Sequence, residues 1–164
     1  MDAALLNMLG RYSCRTVRDY ENTMKEIIQH LALLGLWRAK FFEHAAFYGG
    51  SALRIFHGSR RFSEDLDFSL MKKDRSFDLA PYAKMIGSEL ESFGFKVEIT
   101  SRKKRHSDID SAFIKANTLE SMFKMQVPDA VSDLVQKDKT LKVKLELDTT
   151  PPGGASYESR TLLT

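Results

Sequence analysis

Strict alternation at a period of two residues constrains this chain more than any other feature. From Leu141 to Asp148 it reads Leu-Lys-Val-Lys-Leu-Glu-Leu-Asp, with every second residue aliphatic. Successive side chains of a strand point to opposite faces, so the segment predicts a strand with Val143, Leu145 and Leu147 on a core. Lys142, Lys144, Glu146 and Asp148 then share the other face. Asp65-Leu66-Asp67-Phe68-Ser69-Leu70 repeats the pattern, with Leu66, Phe68 and Leu70 inward. Asp65 and Asp67 stand on one face with Cα atoms about 6.5–7 Å apart, a spacing that lets two carboxylates converge on a divalent metal.

The rest of the chain supplies cover for such strands. Val17, Tyr20, Met24, Ile27, Ile28, Leu31 and Leu34 follow three-and-four spacing, which predicts an amphipathic helix over 17–37 ending near Gly35. A strand over 44–48 stops at Gly49-Gly50, and helical spacing resumes over 51–57. A helix over about 78–93 ends at Gly94, where a left-handed cap suits glycine. Strands follow over 95–100 and 110–115, with a short helix over 119–125 before the last strand. This order predicts an α/β (α+β) domain with a mixed sheet. At 164 residues, 43% of them hydrophobic, the chain suits one domain with a packed core.

Composition excludes several classes of function. Cys14 is the sole cysteine, so a cysteine-rich zinc site and an intramolecular disulfide are ruled out. The four histidines have no metal-ligand spacing with one another. No Walker-type Gly-Lys-Ser/Thr loop, Gly-x-Ser-x-Gly elbow or His-Glu-x-x-His motif occurs. No run of about 18 apolar residues is present and the start lacks a signal-peptide pattern, so a soluble, cytoplasmic protein is expected. The net charge of +3 permits a phosphate-bearing partner without demonstrating one.

Acidic doublets also occur on solvated strands, and the functional reading of Asp65 and Asp67 rests on what accompanies them. Gly49-Gly50-Ser51 lies between a predicted strand and a predicted helix, where backbone amides can approach phosphate. The same residues also suit an ordinary tight turn with Ser51 as N-cap. Arg54, Arg60 and Arg61 can offset phosphate charge or orient the aspartates; a solvated face is the plainer reading, and for Arg60 the better one. In the last strand, Glu146 or Asp148 can supply a third carboxylate and Lys144 a compact positive charge. The alternative there is an amphipathic edge strand whose lysines discourage aggregation.

Gly49-Gly50-Ser51 with Arg54, followed by Arg61-x-Ser63-x-Asp65-Leu66-Asp67-Phe68, resembles the AbiEii/AbiGii toxin family of the nucleotidyltransferase superfamily. These proteins are toxin halves of bacterial toxin–antitoxin and phage-defence systems. Lys144-x-Glu146-x-Asp148-Thr149-x-Pro151-Pro152 is similar to a later segment of such proteins, so the resemblance spans about 48–152. It implies a nucleotidyltransferase-like mixed sheet flanked by helices. It also implies magnesium (or manganese) on Asp65 and Asp67, with Glu146, or Asp148 on the same face, completing the acidic set. Gly49, Gly50, Ser51, Arg54 and Ser63 would line the triphosphate and Lys144 would contact the nucleotide. The implied partners are a nucleoside triphosphate, an RNA or tRNA acceptor and a cognate antitoxin. Family members usually add a helical C-terminal portion, and the Pro151-Pro152-Gly153-Gly154 turn shortly before Thr164 suggests a chain lacking it.

Two rival functions remain at this level: the same chemistry on a small molecule such as an aminoglycoside, and a catalytically silent antitoxin-binding module. Arg102-Lys103-Lys104-Arg105 would attract an RNA through its phosphates, but no aromatic residue interleaves it, and a solvated hairpin loop is the simpler reading. Phe41-Phe42 and Phe47-Tyr48 read as core, with Tyr48 the one candidate for stacking on a base.

Overall fold

The computed structural model describes residues 3–103 and 105–162, so Lys104 and Leu163 lie outside the described residues. After a short helix α1 (Ala3–Gly10), the long helix α2 (Val17–Arg38) opens on a reciprocal cap. The Asp19 amide donates to Thr16 Oγ1 at 3.2 Å, and the Thr16 amide donates to the Asp19 carboxylate at 2.8 Å. Two amides that have no intrahelical partner are thereby satisfied. The helix runs on through Gly35 rather than ending there. A Cβ at Gly35 would lie 3.1 Å from Glu89 Cβ and 3.2 Å from Ile86 Cα. This glycine is a point of close helix contact, letting α4 (Ala80–Ser92) pack against α2.

The sheet has the order β1-β2-β5-β4-β3. Its strands are β1 (Ala45–Tyr48), β2 (Asp65–Leu70), β3 (Val97–Arg102), β4 (Ile109–Asn117) and β5 (Thr140–Asp148). Only β2 and β5 pair in parallel, and the other neighbours are antiparallel. A parallel pair needs a long crossover, supplied here by everything between Leu70 and Thr140. The mixed sheet flanked by helices is the architecture expected from the element order. The strand β5 sits at its centre, which overturns the edge-strand explanation of its lysines: both neighbours hydrogen-bond to it.

Burial follows the alternation. Leu66, Phe68, Leu70, Leu141, Val143, Leu145 and Leu147 are each at most 2% exposed. Each such side chain contributes about 1.5–3 kcal/mol relative to exposure. Phe41 anchors the core, with ring centroids 5.1 Å from Phe68 and 5.0 Å from Tyr82 in edge-on contact. The third strand starts two residues later than the alternation predicts, since Phe95 closes the end of α4. Its amide donates to the Leu90 carbonyl at 3.0 Å around a left-handed Gly94, and its side chain is buried. Helices α5 (Thr118–Lys124) and α6 (Asp129–Ser132) lead into β5.

Candidate functional site

The helix α3 (Gly49–His57) begins directly after β1, with Tyr48 at the N-cap position and no side-chain cap. Ser51 is therefore not the N-cap. It is the third helical residue, 1% exposed, and its hydroxyl donates to the Asp65 carbonyl. That bond ties the first turn of α3 to the start of β2. The first amides of a helix lack intrahelical acceptors, so those of Gly49, Gly50 and Ser51 are available to an anion.

Gly49 adopts φ +79, a conformation natural to glycine. A Cβ there would collide with Asp67 Oδ2 and lie 3.1 Å from both Cβ and Cγ of that residue. At Gly50 a Cβ would come within 2.9 Å of Ser63 Oγ. The absence of side chains at both glycines thus lets the helix start reach the carboxylate and the segment leading into β2. Gln29 from α2 braces the same segment, donating to the Ser63 carbonyl at 2.9 Å.

Register places the other acids. Asp67 is opposite Tyr48 on one side and Glu146 on the other, and Asp65 is opposite Lys144. Glu146 in turn faces Ser111, and Ser111 faces Arg102, giving one row of Tyr48, Asp67, Glu146, Ser111 and Arg102 across all five strands. Asp65, Lys144, Phe113 and Thr100 form the neighbouring row. Asp148 stands one step further along, opposite Ser69, with its Oδ1 accepting from the Thr150 amide at 2.9 Å.

The electrostatics of this face are strained. Partial burial raises both Asp65 and Asp67 above the usual carboxylate range, and Glu146 raises both further while Lys144 opposes it. Asp65 adds to the rise at Asp67. Lys144 pairs with Glu146, and that hydrogen bond raises the lysine above its ordinary value. Tyr48, half exposed, is raised by burial and then by Asp67, Asp148 and Glu146. A positive charge delivered to Asp65 and Asp67 would relieve this crowding.

Among the described residues no three His, Cys, Asp or Glu side chains converge into a ready-made metal cage. Magnesium does not require one, because it is commonly held by one or two carboxylates with water and phosphate oxygens completing the shell. The Asp65 and Asp67 pair fits that demand.

Arg54 stands apart from the acids. Its Nε donates to Glu26 on α2 at 2.5 Å, and Nη1 reaches the carbonyls of Ser59 and Arg60 at 3.4 and 3.1 Å. Phe113 joins this face without having been singled out by the sequence, and Arg102, expected in a basic loop, joins it too. Arg102 belongs to β3 rather than to the loop, and its guanidinium lies 5.6 Å from the Phe113 ring centroid. The alternation of Ser111, Phe113 and Lys115 carried the signal for Phe113, but only the pairing register shows that it adjoins Lys144.

No helix among the described residues is long and apolar enough to cross a membrane. Comparison with curated proteins and with solved structures finds no match. A family model described as nucleotidyl transferase AbiEii toxin, type IV TA system, matches residues 31–162. That span holds the glycine-led helix and both acidic strands, and the chain accordingly belongs to the AbiEii nucleotidyl transferase toxin family of type IV toxin–antitoxin systems.

Proposed function

We propose that this chain transfers a nucleotidyl group from a nucleoside triphosphate to an RNA acceptor, releasing pyrophosphate, on the face of β2 and β5 that carries the acids. The observation that carries the reading is the abutment of Gly49 on Asp67, which brings a helix N-terminus and a carboxylate to one point. A triphosphate needs both. Its oxygens would take hydrogen bonds from the amides of Gly49, Gly50 and Ser51, and Asp65 and Asp67 would hold magnesium (or manganese). The bound metal would neutralise triphosphate charge and align the reacting oxygens.

The remaining roles fall to the chain's own residues. Lys144 contacts the nucleotide phosphates, so an arriving triphosphate competes with Glu146 for its ammonium group. Released from that pair, Glu146 is the third acid and draws the proton of the acceptor hydroxyl. It suits this role better than Asp148 because it stands directly across from Asp67. Ser63 backs Gly50, and Arg54 supports the fold through Glu26. Tyr48 and Phe113 offer aromatic surfaces on either side of the acids, where a base can stack. As a toxin, the chain is held in check by a cognate antitoxin.

The test incubates the chain with each labelled nucleoside triphosphate and total cellular RNA, with and without magnesium. Label on RNA only with magnesium is the expected result. Label on a small hydroxylated compound instead would replace the acceptor, and failure to bind nucleotide at all would leave an antitoxin-binding module.

A further inference from the structure

On the other face of the sheet, beyond the end of β5, lies a cavity of about 510 Å³ that the proposed transfer chemistry does not use. Asp110 stands opposite Leu147 rather than Glu146, and so belongs to the side of the sheet that faces the core. It is 3% exposed, and its Oδ2 has no hydrogen-bond partner. A buried acceptor without a donor carries a desolvation cost that a ligand N–H can remove. Burial also raises this carboxyl above the usual range, with Lys103 opposing and Asp78 adding to the shift.

The same cavity is lined by three cations, Arg75, Lys103 and Arg105. Arg75 pairs with Asp108 at 3.0 Å, and Lys103 Nζ donates to the Phe77 carbonyl at 2.8 Å, so both side chains are positioned rather than free. Arg105 makes no ion pair among the described residues. The Thr149 amide and hydroxyl both donate to the Asp108 carbonyl, at 2.8 and 2.9 Å, tying the end of β5 to the segment that leads into β4. The complementary ligand is anionic at one end and presents an N–H donor at the other. Its size matches a small-molecule site.

We infer that this cavity binds a nucleotide unit, with phosphate on Arg75, Lys103 and Arg105 and an exocyclic base amine donating to Asp110. The unit comes from a single-stranded RNA or from a free mononucleotide. Binding here goes beyond the transfer reading and stands whether or not Asp65 and Asp67 hold a metal.

The experiment measures fluorescence anisotropy of labelled adenosine and uridine RNA octamers with the full chain, without magnesium. Adenosine carries the exocyclic amine, whereas uridine offers only its ring N3–H, so loss of the preference in the Asp110 variant is what reads the amine contact. The wild-type chain should prefer the adenosine octamer by about tenfold, the worth of one charge-assisted hydrogen bond. Asp110→Ala, checked for folding by its melting curve, should erase that preference while leaving uridine binding within about twofold. Arg75→Ala with Arg105→Ala should weaken both octamers alike and flatten the salt dependence. Competition by AMP near its own binding concentration identifies a mononucleotide site, whereas competition by the octamer alone identifies a strand. Absence of binding, or octamer affinities that are equal in the wild type and unchanged in the variants, overturns the inference. Because no magnesium or turnover is involved, failure of the transfer reading cannot mimic this result.

Discussion

Replacing Gly49 with alanine separates backbone strain from damage to the site, because Gly58 provides a matched control on the same helix. Both glycines have positive φ, +79 at Gly49 and +68 at Gly58. In that region a non-glycine residue costs about 1–2 kcal/mol. For a chain of this size each kcal/mol lowers the melting temperature by about 2–4 °C, so strain alone predicts a loss of about 2–8 °C at either position. The surroundings differ. A Cβ at Gly58 meets nothing within 4 Å, whereas at Gly49 it runs into the Asp67 carboxylate. To accommodate it, Asp67 must rotate away or the start of α3 must withdraw from β2. A displacement of about 1 Å in a reacting centre can cost on the order of 10²-fold in rate. Melting curves and magnesium-dependent nucleotide transfer, measured on the same preparations, give both quantities. Gly58→Ala should melt lower and transfer label within about twofold of wild type. Gly49→Ala should melt lower and lose transfer by about 10²-fold. Equal transfer by the two folded variants would refute the claim that Gly49 adjoins the reacting groups.

Two further outcomes follow from the charges. Arg54→Ala leaves Glu26, whose side chain is 8% exposed, with the Tyr12 hydroxyl at 3.1 Å in place of its cation, and should destabilise the fold by about 2–3 kcal/mol in urea unfolding, less than for a fully buried pair. Adding Glu26→Gln should restore both stability and transfer; recovery of stability without transfer would return Arg54 to the triphosphate. Asp65 and Asp67 have folded pKa values raised from 3.8, so their ionised forms oppose folding at neutral pH. This cost is present above the folded pKa and relieved as pH falls through it. Asp67→Asn should therefore melt above wild type at pH 7, with the advantage shrinking toward pH 4; a variant that melts lower at neutral pH would show that the carboxylate is favourably paired.

What the sequence disclosed was periodic or local. The alternation at Asp65–Leu70 and Leu141–Asp148 announced two one-sided strands, and Gly94 marked a helix end with its left-handed turn. Long-range pairing was hidden. Nothing in the spacing tells that β2 and β5 run side by side in parallel, or that Asp67 faces Glu146 rather than Asp148. Gly35 suggests a helix end because a glycine that admits a neighbouring helix looks the same in sequence as one that caps. Local sequence sets Arg54 toward phosphate or the aspartates, while its partner Glu26 lies on a different helix 28 residues away. Helix α1 escaped notice because its short apolar run has little periodicity, and its order comes from burying Leu5 and Met8.

Whether Asp65 and Asp67 hold the metal–nucleotide is decided by transfer of labelled nucleotide with Asp67→Asn. The substitution keeps shape and removes charge. The variant should be folded, at least as stable as wild type at pH 7, and should incorporate no label at any magnesium concentration. Unchanged incorporation by that variant would contradict it.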